Sequence, residues 1–211
     1  MSKTILNSMT QANPDAHSEA TNPANQRKAL RSTLLRARKS VAAEQRRLWD
    51  AQIAEALLHW LQQRQPSSLA VYWPIQAEPD LRDWYPQITA MGIQLALPWV
   101  VGKNTPLKFL AWQQGDAMDL DEYGIPLPAD KEKLIQPEML LVPCVGFNQH
   151  AYRLGYGGGF YDRTLAGMPE AIAVGIAYAQ AAAEFAAEPH DLPLQMILTE
   201  SALISVPLPS V

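Results

Sequence analysis

Four glycines stand among the ten residues of "RLGYGGGFYD", which runs from Arg153 to Asp162. Glycine tolerates positive φ and lets a ligand approach backbone N–H groups without a Cβ in the way. Several such N–H groups at the start of a helix form a site for an anion, most often a phosphate. Arg153 can add a two-pronged contact to phosphate oxygens. The segment therefore predicts a phosphate-binding loop.

The glycine spacing alone also fits a plain turn at the end of a loop. The third glycine of a G-x-G-x-x-G motif would fall on Phe160, and the segment contains no G-K-[ST]. Asp162 can serve as a helix-start residue that the helix dipole favours, and Tyr152, Tyr156 and Tyr161 can simply pack. Spacing leaves this structural alternative open.

The sequence indicates no arrangement of residues for nucleophilic catalysis. Cys144 follows a proline at the end of a predicted strand, so we expect a small buried apolar residue and not a reactive thiol. His59 lies beside Trp60 in a helical pattern, and we expect it to have a structural role as well.

Basic residues are concentrated in the first two predicted helices, where eight of the 17 lysines and arginines lie between positions 27 and 47: Arg27, Lys28, Arg31, Arg36, Arg38, Lys39, Arg46 and Arg47. A solvated helix face is the simplest explanation, and we adopt it for Arg36, Lys39, Arg46 and Arg47. A nucleic-acid surface is disfavoured, because interleaved aromatic residues are missing and the net charge is −4.

These residues need a scaffold, and apolar periodicity predicts one. From Gln26 the three- and four-residue spacing predicts a helix along Leu30, Leu34, Ala37 and Val41, with Ser40 ending it and capping the next. A second stripe predicts a helix that runs to a turn near Pro66 and Ser67: Trp49, Ile53, Leu57, Trp60 and Leu61.

Short apolar runs predict the strands. "LAVYW" (69–73), a helix capped by Asp80 and ending near Met91, and "IQLALP" (93–98) make one βαβ unit. Further strands are predicted in "LKFLAW" (107–112), "MLLVP" (139–143), "AIAVGIAY" (171–178) and "MILTESALIS" (196–205), with a connecting loop at 123–137. The fold class is thus α/β: a mostly parallel, open, Rossmann-like sheet with helices on both faces, in three layers.

Composition limits the class of protein. The 211 residues suit one domain, which we place at 26–211 after a flexible tail at 1–25 that is rich in Ser, Thr, Asn, Ala and Pro. A hydrophobic share of 48%, a charged share of 18% and the lack of a long apolar run exclude a membrane protein. A single cysteine and the lack of a secretory signal favour the reducing cytoplasm.

The segment "LLVPCVGFNQHAYRLGYGGGFYDRTL" (140–165) resembles the ATP-site signature of the 5-formyltetrahydrofolate cyclo-ligase family. Other features follow in the family's order from about residue 26 onward: "RKALR" (27–31), "YWPIQAEPDL" (72–81), "YGIPLP" (123–128) and "EPHDLPLQMILTES" (188–201). Leu127 is a departure, because bacterial relatives often have Glu there; this weakens any role for that loop.

The resemblance implies an ATP-dependent closure of 5-formyltetrahydrofolate to 5,10-methenyltetrahydrofolate, with ADP and phosphate released. It implies Mg²⁺ at Asp162 and Asp191, and the folate at Trp73, Glu78 and Tyr156. Arg153 and Tyr161 would be catalytic. ATP would contact Arg27, Lys28, Arg31, Arg153, Leu154, Gly155, Tyr156, Gly157, Gly158, Gly159, Phe160 and Tyr161.

Two other functions remain open from the residues alone. One is an enzyme acting on a sugar phosphate or a coenzyme A compound without hydrolysing ATP. The other is a non-catalytic folate- or nucleotide-binding protein. ATP dependence separates the first from the cyclo-ligase, and the intact Arg153, Asp162 and Asp191 argue against the second. We expect a monomer that binds small molecules and neither nucleic acid nor membrane.

Overall fold

A central sheet organises the fold in the computed structural model, which describes residues 22–205. These residues form eight strands in the order β12-β11-β10-β7-β1-β2-β3-β6. The strands are β1 (Ser68–Ala70), β2 (Gln94–Trp99), β3 (Lys108–Trp112), β6 (Leu134–Ile135), β7 (Met139–Pro143), β10 (Ile172–Ile176), β11 (Met196–Leu198) and β12 (Leu203–Ser205).

The five central strands, from β11 to β2, are mutually parallel, whereas β12, β3 and β6 pair antiparallel at the edges. This confirms the prediction of a mostly parallel sheet. The physical reason is that strands covered on both faces must be apolar on both faces, as β7 is at Leu140 and Leu141.

Helices cover both faces of the sheet. Side chains of β7 alternate, so that Met139 and Leu141 pack on the side of helix α2 (Ala43–Arg64) and helix α3 (Tyr85–Ala90). Leu140 and Val142 face the other side, with Leu165 of helix α4 (Phe160–Ala166). The predicted layered α/β architecture is therefore present.

Helix α1 (Pro23–Ser40) lies across the loops that follow the strands. It begins three residues before the predicted Gln26, because Asn22 caps it by accepting a hydrogen bond from the N–H of Ala24 at 3.0 Å. Gly146 permits the close approach of α1: a Cβ there would lie 2.6 Å from Cδ1 of Leu34. The predicted tail at 1–25 lies almost wholly outside the described residues.

Several predicted elements differ in detail. Ser40 does not cap α2, since its hydroxyl donates to the carbonyl of Ala37 and Ala42 occupies the N-cap of α2. Asp80 does accept from the N–H of Arg82, at the start of a 3₁₀ turn that leads into α3. The first strand is shorter than "LAVYW", and 196–205 is a hairpin of two strands.

The segment 123–137 is not only a connecting loop, which corrects the prediction. It contributes β6 to the sheet and β5 (Pro126–Pro128), which pairs with β4 (Met118–Leu120) in a hairpin. A second small pair joins β8 (Gly146–Phe147) to β9 (Arg153–Leu154), directly before the glycines. Within residues 22–205, no helix has the length and apolar character needed to span a bilayer.

Candidate active site

A cavity of about 530 Å³ opens where α1, the loop after β1, the β4–β5 hairpin and the glycine loop meet. The loop after β1 contributes Trp73 and Glu78, and the tip of the hairpin contributes Tyr123. In an open α/β sheet, ligands bind beyond the carboxyl ends of the strands, and β1 and β7 both end here. The cavity is therefore the candidate active site.

The glycine loop, residues 155–159, forms one wall of this cavity. Gly157 (φ 95°) and Gly159 (φ 64°) adopt the left-handed conformation that favours glycine. A Cβ at Gly158 would lie 2.7 Å from the ring of Phe160, so packing inside the loop requires that glycine. A Cβ at Gly155 would meet no atom within 4 Å, which leaves its backbone accessible from the cavity.

Helix α1 brings Arg27 and Arg31, two of the predicted ATP-binding residues, to the cavity. Nε of Arg31 donates to the carbonyl of Gly155 at 2.8 Å, and the neighbouring Arg27 lines the same cavity. Burial, followed by the positive charge of Arg27, lowers the pKa of Arg31. Nε of Arg27 is buried and has no hydrogen-bond partner among the described residues, with Oε1 of Glu188 at 3.8 Å. This end of the cavity is suited to an anion.

Two ion pairs join the arginines of the site to its aspartates. Nη1 of Arg27 lies 2.7 Å from Oδ2 of Asp191, and Nη2 of Arg153 lies 2.6 Å from Oδ1 of Asp162. Arg153 also donates to the carbonyl of Leu192 at 3.0 Å. Both carboxylates that were predicted as metal ligands are thus held by arginines that were predicted to bind ATP.

Asp191 also belongs to a small group of possible metal ligands. One ligand atom each from Glu188, His190 and Asp191 lie within 4.8 Å of one another. Asp162 lines the same cavity but is not part of that group. Glu188 and His190 were not among the predicted ligands, although "EPHD" (188–191) places three possible metal ligands within four residues.

The other end of the cavity holds an acid among aromatic side chains. Glu78 is buried, and its Oε1 accepts a hydrogen bond from the hydroxyl of Tyr156 at 2.7 Å. Burial raises the pKa of Glu78, whereas the hydrogen bonds from Tyr156 and the Ile75 N–H and the charge of Arg38 lower it. Trp73 lies nearby on the cavity wall, edge-on to Trp112 with ring centroids 6.3 Å apart.

Most predicted site residues meet in this one cavity, including Tyr156, Phe160 and Tyr161. Lys28 is exposed and does not line it, and Leu154 is fully buried and can take part only through its backbone. Arg38 was not among the predicted site residues, although its spacing of seven residues from Arg31 places both on one helix face. Tyr123 was not predicted either.

The sequence matches the 5-formyltetrahydrofolate cyclo-ligase family over residues 23–200. The chain belongs to that family. A 5-formyltetrahydrofolate cyclo-ligase of Haemophilus influenzae is 29% identical over 181 residues, covering 82% of this chain and 96% of the relative. The cyclo-ligase of Mycolicibacterium smegmatis is 31% identical over 183 residues, covering 81% and 91%.

Solved structures agree with the family assignment. A 5,10-methenyltetrahydrofolate synthetase from Mycoplasma pneumoniae superposes with a TM-score of 0.69 at 26% identity, covering 82% of this cyclo-ligase family member and 98% of that chain. The synthetase of Aquifex aeolicus superposes with a TM-score of 0.76 over 88% of this chain and 95% of that chain. Its identity of 24% supports the fold alone.

Proposed function

We propose that the chain is an ATP-dependent 5-formyltetrahydrofolate cyclo-ligase, which forms 5,10-methenyltetrahydrofolate and releases ADP and phosphate. One observation carries the proposal beyond family membership: the glycine loop and the Trp73–Glu78 wall face the same cavity, and Tyr156 belongs to both. A nucleotide and a second planar substrate can therefore meet there. This arrangement disfavours a site that binds a phosphorylated metabolite alone.

The reaction needs a better leaving group than an amide oxygen. The formyl oxygen attacks the γ-phosphorus of ATP, the bond to the ADP oxygen breaks, and an imidate-like phosphate forms. N10 of the folate then attacks the formyl carbon and loses its proton, and the carbon–oxygen bond breaks as phosphate leaves. The atoms balance as one ATP and one folate giving ADP, phosphate and the cyclic product.

The residues of the cavity provide positioning and positive charge, which is what phosphoryl transfer requires of a protein. The open backbone at Gly155 and the guanidinium of Arg31 would hold the phosphates. Arg153 would stabilise the charge on the transferred phosphoryl group. Tyr161 lines the cavity beside it, and burial raises the pKa of Tyr161, so that its hydroxyl stays protonated as a donor.

The folate would lie at the Trp73–Glu78 end. The Trp73 ring offers a flat apolar surface, and the carboxylate of Glu78 can accept hydrogen bonds from ring N–H groups. Leu127, at the position where bacterial relatives often have Glu, is buried in β5 and does not line the cavity. This difference therefore changes no side chain of the wall that we propose for the folate.

We also propose that Mg²⁺ accompanies ATP. The donor set fits, because Mg²⁺ takes one or two carboxylates together with phosphate oxygens and water. Asp162 and Asp191 remain the proposed ligands, and Glu188 is a further candidate through its position beside Asp191. When bound, the ion would neutralise charge on the phosphates, while Arg27 and Arg153 keep the two carboxylates in place beforehand.

The direct test mixes purified protein with Mg-ATP and 5-formyltetrahydrofolate and follows the absorbance band of the methenyl product. We expect the band to grow only when ATP is present, with one ADP formed per product. Product formation without ATP, or ADP formation without product, would contradict the proposal.

We expect the protein to elute as a monomer on size exclusion. We also propose that it works in the reducing cytoplasm, which agrees with its buried, unpaired cysteine, Cys144.

A further inference from the structure

Arg38, in the last turn of α1, is only 4% exposed, which is unusual for an arginine. Its guanidinium donates to the carbonyl of Gln76 at 3.0 Å, to the carbonyl of Cys144 at 3.3 Å and to the hydroxyl oxygen of Tyr156 at 2.5 Å. These three acceptors lie after β1, after β7 and in the glycine loop. One side chain thus ties together three segments around the cavity.

The contact with Tyr156 continues to a buried acid. The Tyr156 hydroxyl accepts from Arg38 and donates to Oε1 of Glu78 at 2.7 Å, while Oε2 of Glu78 accepts from the N–H of Ile75 at 2.8 Å. Among the residues that the structure describes, Arg38 forms no direct ion pair. The two buried charges therefore compensate one another through a single hydroxyl group.

Arg38 also holds the turn that carries this acid. Gln76 (φ 51°) and Ala77 (φ 60°) adopt the left-handed conformation, which costs energy for residues with a Cβ. The hydrogen bond from Nε of Arg38 to the carbonyl of Gln76 stabilises that turn. Glu78 follows this turn directly in the chain.

We propose that Arg38 is a positioning residue for the folate, which holds Tyr156 and the turn 75–78 so that Glu78 faces the cavity as a carboxylate acceptor. The inference rests on the proposed function, because it takes ring N–H groups of the folate as the donors to Glu78. Arg38 would also link the two ends of the site, since Tyr156 is part of the glycine loop.

The charges around Glu78 give this role a pH signature. Four other titratable groups interact electrostatically with Glu78: Tyr72, Cys144, Tyr156 and Tyr161. Burial raises the pKa of each tyrosine and raises the pKa of Cys144 to about 12, so all four are neutral near pH 7. Arg38 is then the positive charge that opposes the effect of burial on the pKa of Glu78.

Loss of Arg38 should therefore raise the pKa of Glu78 further. Folate binding that needs the carboxylate is lost as the pH falls through that pKa, so the loss should begin at a higher pH in the variant. Arg38→Met should weaken binding roughly tenfold or more at neutral pH and recover as the pH rises. Arg36→Met, an exposed position on the same helix, should leave binding unchanged.

The test is calorimetric titration of 5-formyltetrahydrofolate into the nucleotide-free protein between about pH 6 and pH 9. The same titrations in a Glu78→Gln background supply a double-mutant cycle, in which Arg38→Met should have little further effect. Equal losses in both backgrounds would indicate a merely structural role and overturn the inference. If Arg38→Met does not fold, Tyr156→Phe decides, because it removes only the linking hydroxyl and should shift the pH profile in the same direction.

Two failures are distinguishable. Wild-type protein that binds no folate would overturn the proposed function, and the inference with it. Wild-type protein that binds folate, with an unchanged affinity and pH profile in Arg38→Met or in Tyr156→Phe, would overturn the role of Arg38 alone.

Discussion

At the scale of single residues, charged side chains of the site form arginine–aspartate ion pairs. Arg27 holds Asp191, and Arg153 holds Asp162, in the ligand-free protein. A buried charge without a partner costs free energy. In each pair, therefore, the arginine stabilises the aspartate and the aspartate stabilises the arginine. Under the proposed function, a nucleotide offers anions to the arginines and its metal offers a cation to the aspartates. We therefore expect the pairs to exchange partners on binding.

Asp162→Asn tests this exchange. The variant keeps an oxygen to accept from Arg153 but loses the negative charge, so it should fold with a loss of about 1–3 kcal/mol in unfolding free energy. ATP without metal should bind more tightly, because Arg153 is freer, while turnover with Mg-ATP should collapse. Calorimetry, denaturant unfolding and the methenyl assay measure the three quantities. Near-normal turnover at limiting Mg²⁺ would show that Asp162 is not a metal ligand. The control is Asp83→Asn, at an exposed aspartate.

Gly155→Val tests the phosphate-binding wall. Its Cβ would meet no protein atom within 4 Å, so the added methyls should enter the cavity without disturbing the fold. We expect a higher KM for ATP and an unchanged melting temperature without ligand. Gly158→Val is a poorer probe, because its Cβ would collide with the ring of Phe160 at 2.7 Å. Gly102→Val, in a loop outside the cavity, is the control. If the KM for ATP were unchanged in Gly155→Val, as is expected for the control, the phosphates would not bind at this wall.

At the scale of elements, α1 is the part that completes the site. It contributes Arg27, which contacts Asp191 before β11, and Arg31 and Arg38, which both contact the glycine loop. The remaining basic residues of the first two helices are mostly exposed, as expected for Arg36, Lys39 and Arg47. Arg46 departs from that expectation, because it is partly buried and donates to the carbonyl of Val41.

Arg31→Ala and Arg47→Ala compare the two kinds of position. Arg31 is partly buried beside the glycine loop, and loss of a charge-assisted contact to phosphate costs about 1.5–3 kcal/mol. The KM for ATP should rise by roughly one to two powers of ten in Arg31→Ala and stay constant in Arg47→Ala. Arg27→Ala is less clear-cut, because it also leaves Asp191 without its partner. Equal, small effects at positions 31 and 47 would make α1 a solvated helix with no role in ATP binding.

At the scale of the whole molecule, a buried acid joins α2 to the sheet. The hydroxyl of Tyr178, just beyond β10, donates to Oδ1 of Asp50 at 2.7 Å. Burial raises the pKa of Asp50 to about 6, although the hydrogen bond from Tyr178 opposes this. A carboxyl whose pKa is higher in the folded state stabilises the fold below its unfolded pKa. That stabilisation is lost as the pH rises through about 6.

Asp50→Asn should reveal this dependence. Asn stays neutral and can still accept from Tyr178, so the variant should gain stability relative to the wild type as the pH rises from 4 towards 6 and above. Urea unfolding of both proteins on either side of that range measures the difference. A stability difference that does not change with pH would show that Asp50 is ionised in the same way in the folded and unfolded chains.

The sequence by itself determined the features that depend on short stretches of chain. "MLLVP" is a strand at the predicted residues, because a short run of five apolar residues is typical of a strand in a sheet that is covered on both faces. Positive φ at Gly157 and Gly159 is likewise permitted by a local property, the missing Cβ. The family signature then predicted residues around this loop for binding ATP and folate, and most of the predicted residues line one cavity.

Only the tertiary structure decided which distant residues become partners. Arg38 and Tyr156 are 118 positions apart, and Arg27 and Asp191 are 164 positions apart, so no local pattern records either contact. The two-residue strand β6 was missed for the same reason: it is too short to show a period of its own and exists because β3 pairs with it. Local preference sets the elements, whereas contacts between side chains far apart in sequence depend on how those elements pack.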